Sequence, residues 1–354
     1  MTLNIKSRFH TYDVVSKPNL RSCLEAEHKN CFYLVDKNVY ELYKDDFAEI
    51  ERAKTILIEA NEGNKSFGAL EVIYDQLIAA GLKKNGELIV VGGGILQDIG
   101  GFVATTLYRG IKWQLVPTTF LTQTDSCIGS KSSINLGRGK NLLGTFYPPM
   151  QVHLTTEVLK TLESKDLKSG MCEAVKLAML AGPGEFDWMR SRIFEALSLR
   201  DVDEFLFRVL KIKKRYIEED ELDKGVRNLL NFGHTFGHSF ERGTDYEIPH
   251  GIAVGVGMLA ADFFSVELGF ANKTHFETSR EVLAPLISDY YGIVMNRDAT
   301  KYVDFMRADK KNMDNNITFI LGRNYGDYAK TTLDSSTATR LLKAFFFQLK
   351  SGLN

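Results

Sequence analysis

Short apolar runs and one-faced helical patterns alternate through the first half of the chain. Residues 30–35 (NCFYLV) read as a strand and are followed by the polar Asp36, Lys37 and Asn38. From Ser66 to Ala80, Phe67, Leu70, Ile73, Tyr74 and Leu77 recur at helical spacing and predict a helix with one apolar face. A second apolar run at 87–91 (ELIVV) leads into Gly92-Gly93-Gly94. A helix is predicted from about Asp98 to Tyr108, where Gly100-Gly101 points to close packing rather than helix propensity. The run 112–116 (KWQLV), ended by Pro117, reads as another strand. Strand, helix and strand in this order predict an α/β N-terminal domain.

The second half carries a different pattern. Residues 155–220 are rich in Leu, Ala, Glu, Lys and Met at helical periodicity, with Glu–Lys pairs suited to exposed faces. Residues 251–272 mix small and large apolar side chains and predict a buried helix or helix pair. Residues 313–321 predict a late strand and 331–349 a further helix. Pro148-Pro149 mark a boundary near 150–162, which divides the chain into domains at 1–160 and 161–354. A length of 354 residues accommodates two domains.

Composition narrows the classes. Hydrophobic residues are 44% and charged residues 25%, the mix of a globular protein with a substantial core. The formal charge of -1 excludes a polybasic nucleic-acid coat while leaving room for a local positive pocket. Cys23, Cys31, Cys127 and Cys172 show no CxxC spacing, so a reducing compartment is expected rather than a zinc ribbon or disulfide framework. The N-terminus has no apolar block of signal-peptide type, and no unbroken apolar stretch reaches about 18 residues. Neither export nor a membrane span is expected.

Candidate chemistry falls in three places. The segment ELIVVGGGILQDIGGF is strand, glycine turn and helix, which lets the backbone approach a pyrophosphate and offers it free helix amides. It is neither GxGxxG nor GxxxxGK[ST], and a structural turn competes with the nucleotide reading. Asp98 can serve the helix dipole. Asp36, after a strand, can accept from a ribose or cap a turn, and Thr118 and Thr119 bring hydroxyls to a crevice edge. The polar stretch 122–143 holds Asp125, Lys131, Lys140 and Asn141 among glycines and serines. It reads either as an anion-binding loop, with the Arg109 guanidinium beside it, or as a plain surface loop. Finally, three of the seven histidines cluster as His234, His238 and His250, after Glu173-x-x-Lys176 and Arg227-x-x-x-Asn231. By i,i+4 spacing His234 and His238 make the first ligand pair of a metal shell with an open position. Capping or core hydrogen bonding is the alternative. Thr235 after His234 rules out HExxH, and no GxSxG occurs. Nucleotide loop, metal shell and basic pocket together indicate redox chemistry on a hydroxylated anion.

With these strings in view, the sequence resembles the 3-dehydroquinate synthases, within the sugar-phosphate cyclases. The likeness runs from about Asp36 to Leu321 through GGGILQDIGGFVATTLYRG, VPTTFLTQTDSCIGSKSSINLGRGKN, GMCEAVK, RNLLNFGHTFGHSFE and HGIAVGVGM. It implies an α/β fold: a Rossmann-like N-terminal domain and a mostly α-helical C-terminal metal-binding domain. It implies NAD and a divalent metal, zinc first and cobalt second, held by Glu173, His234 and His250 rather than by the i,i+4 pair. For NAD it points to Asp36, Asn38, Glu62, Lys65, Gly93, Gly94, Asp98, Thr118, Thr119, Leu121, Lys140, Thr161, Leu162 and Asp166. For catalysis and substrate binding it points to Asp125, Lys131, Asn141, Lys176, Lys213, Arg227, Asn231, His238, Lys310 and Lys311. Arg109 is expected to reach the phosphate site of a neighbouring copy in a cytoplasmic homodimer.

The implied reaction converts 3-deoxy-D-arabino-heptulosonate 7-phosphate to 3-dehydroquinate and phosphate. Its steps are transient oxidation by NAD, phosphate elimination, re-reduction and aldol closure. The chain departs from common family wording at Gln97-Asp98 (for GD), at Gly129-Ser130-Lys131-Ser132 (for GGKT) and at His250-Gly251-Ile252 (for HGE). The alternatives are a cyclase acting on sedoheptulose 7-phosphate, a metal-dependent alcohol dehydrogenase of the glycerol-dehydrogenase type, and a non-catalytic binding protein.

Overall fold

A computed structural model describes residues 1–25, 30–137, 139–308 and 316–351. The chain divides into two compact units. The first comprises Met1–Leu162 and Leu199–Lys224, the second Glu163–Ser198 and Gly225–Asn354. The expected division at 160/161 is thus redrawn: residues 199–224 return to the first unit. Phe207, Leu210 and Ile217 there join the first unit's apolar core, so that helix is claimed by its buried face rather than its place in the chain.

The first unit opens with β1 (Thr2–Lys6), β2 (Thr11–Ser16) and the short α1 (Leu20–Leu24). There follow β3 (Cys31–Asp36), α2 (Lys37–Leu42), β4 (Thr55–Ile58), α3 (Phe67–Ala79), β5 (Glu87–Gly92), α4 (Gly94–Thr106) and β6 (Lys112–Pro117). A hairpin of β7 (Lys131–Leu136) and β8 (Gly139–Phe146) precedes β9 (Gln151–Leu154). The main sheet has seven strands in the order β1-β2-β9-β6-β5-β3-β4, antiparallel only between β1 and β2. Its inner strand β5 is buried along its whole length, as a parallel strand covered on both faces must be.

Chain progression reverses between β5 and β3. From β3 the chain steps out to β4, and from β5 it steps the other way to β6. That reversal opens a crevice at the carboxyl ends of these strands. Helix α4 starts at Gly94, directly after the β5 turn, not at Asp98 as expected. The triple glycine carries the chain from strand to helix without a spacer, which propensity counts against. Gly100 meets the packing expectation, since a Cβ there would lie 2.3 Å from Val90 Cγ2. The polar stretch 122–143 is not an open loop. It holds a π-helical turn, Thr122–Ser126, and most of the β7–β8 hairpin, where Ile134 pairs with Leu143 and is fully buried.

In the chain's second half come α5 (Ser164–Ala181), α6 (Pro183–Leu197) and, back in the first unit, α7 (Val202–Glu219). The second unit continues with α8 (His234–Gly243), α9 (His250–Glu267), α10 (Lys273–Ile287), α11 (Tyr291–Met295) and α12 (Ala299–Arg307). It closes with the hairpin of β10 (Asn316–Asn324) and β11 (Asp327–Asp334), then α13 (Ser335–Ser351). The predicted helix 331–349 therefore starts four residues late, because 331–334 complete β11 and Asp334 receives the Thr337 amide at 2.9 Å.

Helix α9 is the hub of this unit and packs against α5, α8 and α10. It has the length and apolarity of a membrane span, with mean hydropathy 1.2, but 83% of that window is buried inside the unit. Two glycines permit its close contacts. A Cβ on Gly251 would stand 1.9 Å from Ser169 O, and one on Gly257 2.1 Å from Gly233 O. Gly251 N instead donates to Ser169 Oγ at 3.0 Å, which seats the first turn of α9 on α5.

Candidate active site

At the sheet crevice Asp36 ends β3 and caps α2, accepting the Asn38 amide at 3.0 Å. Burial raises the pKa of its carboxyl against the lowering effect of the Asn38 and Val39 amides. Gly92, at the end of β5, accepts from Thr118 N at 3.0 Å, joining the glycine turn to the threonine segment after β6. Gly93 lies so near Thr119 that a Cβ would sit 2.7 Å from its Cγ2. The Thr119 and Thr122 hydroxyls are 2.5 Å apart. Asp36, Gly93, Gly94, Thr118 and Thr119 thus stand together at the strand ends where an α/β sheet binds nucleotides.

A polar network runs beside them. Lys65, almost wholly buried, is 2.5 Å from Asp98 Oδ2 and donates to Asn141 Oδ1 at 2.7 Å. Ser133 donates its amide to Asp98 Oδ1 at 2.9 Å, and its hydroxyl, with one hydrogen to give, lies 3.1 Å from Asp98 Oδ2 and 2.9 Å from Asn141 Oδ1. Burial raises the Asp98 pKa, opposed by Lys65 and Ser133. Asn141 holds φ +53°, a left-handed conformation that asparagine tolerates. Glu62 accepts from Asn135 Nδ2 at 2.7 Å and faces Lys140 at 3.7 Å. Asp125 Oδ1 pairs with Lys213 at 2.8 Å, and Lys131 pairs with Asp223 at 2.5 Å. Thr161 Oγ1 is 3.2 Å from the Tyr43 hydroxyl, and Leu121 and Leu162 flank short helical turns. Arg109 is exposed, at φ +60°, on a turn whose carbonyls Lys84 gathers.

In the second unit Glu173 and Lys176 share one buried face of α5, and Lys176 Nζ donates to Glu173 Oε2. Glu173 Oε1 is buried without a hydrogen bond. His234 Nε2 stands 3.7 Å from it and His250 Nε2 3.6 Å. The other ring nitrogens fix the tautomers. His234 Nδ1–H donates to Phe232 O at 3.1 Å, and His250 Nδ1–H donates to Glu241 Oε2 at 3.1 Å. With both rings neutral, each Nε2 lone pair faces the orphaned carboxylate oxygen. Ligands about 2.0–2.1 Å from one tetrahedral ion stand roughly 3.4 Å apart, close to these spacings. Burial, then Lys176, His238 and His250, holds the His234 pKa well below the ordinary value, favouring the neutral ring a ligand requires. Burial works the same way at His250, but the Glu241 hydrogen bond and the charges of Glu241 and Glu173 outweigh it and raise the pKa. His238 is also near: one nitrogen from each of His234, His238 and His250 lies within 4.8 Å of the others. Arg227, buried, and Asn231 sit on the turn Val226–Asn231 just before α8.

The structure thus collects the predicted residues in two groups, one in each unit. Asp166, assigned to NAD with first-unit residues, lies in the first turn of α5 in the second unit. Lys310 and Lys311 lie outside the described residues. The sequence reading overlooked Glu241, which orients His250. Its signal was available, since 234, 238 and 241 fall at i, i+4 and i+7 on one helix face. Ser133 was not singled out, and Gln97 only as a departure from the family wording; the contacts of both are long-range and leave no periodic trace.

Family comparison also divides the chain in two, but at 169/170 and with residues 199–224 in the C-terminal part. Residues 55–169 match the N-terminal domain of 3-dehydroquinate synthase and residues 170–312 its C-terminal domain. The chain is 36% identical over 352 residues to the 3-dehydroquinate synthase of Bartonella tribocorum, covering 92% of both. The chain belongs to the 3-dehydroquinate synthase family. A further 3-dehydroquinate synthase, of Endomicrobium trichonymphae, is 32% identical with 97% of both chains covered. The activity expected from the sequence is that of these relatives. Among solved structures, a 2-deoxy-scyllo-inosose synthase complexed with carbaglucose-6-phosphate, NAD+ and Co2+ has a TM-score of 0.87 at 21% identity, covering 97% of this chain and all of that one. A 2-epi-5-epi-valiolone synthase from Streptomyces hygroscopicus with NAD+ and Zn2+ has 0.78 at 22% identity, covering 96% and 97%. These share the family's α/β and helical architecture. A probable glycerol dehydrogenase from Sinorhizobium meliloti is more distant at 0.58, with 14% identity and coverage of 96% and 97%.

Proposed function

We propose that the protein is a phosphate-eliminating lyase that converts 3-deoxy-D-arabino-heptulosonate 7-phosphate to 3-dehydroquinate and phosphate. The observation that carries this is the near-full-length match to 3-dehydroquinate synthases. The strand-end cluster of Asp36, Gly93, Gly94, Thr118 and Thr119 suits NAD. Asn38, Glu62, Lys65, Asp98, Leu121, Lys140, Thr161, Leu162 and Asp166 are assigned to the same cofactor. Glu173, His234 and His250 suit a divalent metal, zinc in the first instance. When bound, NAD supplies reversible hydride transfer and the metal polarises substrate hydroxyls.

The remaining work belongs to the chain's own side chains. The orphaned Glu173 oxygen and two imidazole lone pairs form an acceptor set that a cation completes, while Lys176 satisfies the second carboxylate oxygen. Lys131, Lys176, Lys213 and Arg227 supply positive charge for the phosphate and carboxylate. Asn141, Asn231 and His238 supply hydrogen bonds to hydroxyls and phosphate oxygens. Asp125, held by Lys213, orients a hydroxyl or the nicotinamide side. Arg109 is assigned to the phosphate of a neighbouring copy in a homodimer.

The test is phosphate release with product identification, using NAD and a divalent metal. The heptulosonate phosphate and sedoheptulose 7-phosphate are supplied in parallel. Turnover of the carboxylated substrate to 3-dehydroquinate supports the proposal. Equal or faster turnover of sedoheptulose 7-phosphate overturns the substrate assignment.

A further inference from the structure

Gln97 is a long polar side chain on α4 that is 8% exposed and has apolar, fully buried neighbours at Leu96 and Ile99. Such a group is costly to bury unless every polar atom finds a partner. Both of its polar ends do, and both on one residue. Gln97 Nε2 donates to Ser126 O at 2.6 Å, and Ser126 Oγ donates to Gln97 Oε1 at 2.7 Å.

Ser126 closes the π-helical turn Thr122–Ser126 and follows Asp125 directly. That turn is closed by Cys127 N donating to Thr122 O at 2.9 Å, so the Ser126 carbonyl is free to meet a side chain. The next residue of α4, Asp98, grips Ser133 N and Oγ. Gly129 N, midway, donates to the Tyr12 hydroxyl at 2.9 Å. Lys213 grips Asp125 directly, at its carbonyl and its carboxylate, and Gln97 grips the next residue, Ser126, while Tyr12 and Asp98 hold Gly129 and Ser133.

We propose that Gln97 is a positioning residue that fixes the Asp125 turn, and through it the Asp125–Lys213 pair, for the reaction. The proposal rests on the reading of Asp125 as part of the site. Because Asp98 and Tyr12 hold the rest of the segment, loss of the Gln97 bonds loosens the turn without releasing the hairpin.

Gln97→Met keeps length and burial and removes both bonds. In the phosphate-release assay with NAD and metal, kcat is expected to fall about tenfold and KM for the sugar phosphate to move less than about twofold. In an Asp125→Asn background, followed by single turnover, the same change adds less than about twofold. Wild-type kcat in Gln97→Met, or an undiminished loss in the Asp125→Asn background, overturns the proposal. If Gln97→Met does not fold, Ser126→Ala removes one of the two bonds from the other side. It is expected to lower kcat about threefold in the wild type and not in Asp125→Asn. An Asp125→Asn enzyme with wild-type turnover sinks the underlying site reading. An impaired Asp125→Asn with additive Gln97→Met sinks only the role of Gln97.

Discussion

Among the described residues the second unit holds two clusters built from the same chemistry, a buried carboxylate facing imidazole, and they are arranged differently. In one, Glu173 faces His234 and His250. In the other, farther along α9, Asp262 faces His275 at 3.2 Å, with the carboxylate wholly buried and the ring against Tyr325 at 4.6 Å. The difference lies in numbers and in what the other nitrogens do. One imidazole and one carboxylate can neutralise each other by sharing a proton. Two imidazoles whose Nδ1 protons are already spent on Phe232 O and Glu241 present two lone pairs to a carboxylate oxygen. Three acceptors converging on one point repel unless a cation lies among them. The first arrangement suits the proposed metal and the second a structural pair.

The largest contrast is expected on removing the carboxylates. Glu173→Gln should lose bound metal and at least about three orders of magnitude of phosphate release. Asp262→Asn should keep metal content and turnover within about twofold. Metal analysis and the phosphate assay check both, and equal losses would erase the distinction. Stability should show the reverse. Asp262→Asn breaks a buried pair and is expected to cost about 3 kcal/mol in urea unfolding, with no dependence on added metal. Glu241→Gln probes the shell behind the ligands. It should weaken metal affinity by roughly 10–100-fold, read by competition with a chelator, without moving the Asp262–His275 pair.

Acidity gives the smallest and sharpest effect. Burial opposes the charged form of His275, but the hydrogen bond and charge of Asp262 outweigh it and raise its pKa. Its contribution to stability is present below the unfolded pKa and lost as pH rises through the folded one. His153 on β9 has no carboxylate. Its Nε2–H donates to Gln114 Oε1 at 2.5 Å and its Nδ1 is buried without a partner, so a second proton has nowhere to go. Burial, with Lys17, lowers its pKa from 6.5 to about 4. Stability should therefore fall as pH drops from about 6.5 towards 4, by at most about 1.4 kcal/mol per unit. Unfolding at stepped pH should show Asp262→Asn flattening the alkaline decline and His153→Gln flattening the acid one.

The sequence made half of this contrast legible. The clustering of His234, His238 and His250 in one short interval pointed to a candidate metal cluster, and α8 and α9 begin at His234 and His250. Spacing alone chose the i,i+4 pair, because periodicity reports which residues share a helix and not which face a carboxylate on another. The family likeness supplied Glu173. The Asp262–His275 pair left no signal, since it joins two helices across a turn. In the first unit the strands β3, β5 and β6 were read nearly to the residue from their apolar runs. The β1–β2 hairpin was missed although its pairing is local, and the return of α7 was missed because it depends on long-range packing. The β7–β8 hairpin was concealed by serines and glycines, whose burial comes from neighbours and not from their own polarity.

In the proposed assignment Glu173, His234 and His250 hold the metal while His238 stands beside it. Metal stoichiometry of the wild type, Glu173→Gln and His238→Ala, measured on dialysed protein, tests this directly. One metal per chain is expected in the wild type, almost none in Glu173→Gln and one in His238→Ala, the last with impaired phosphate release. Metal retained in Glu173→Gln and lost in His238→Ala would contradict it and assign the ion to the three histidines.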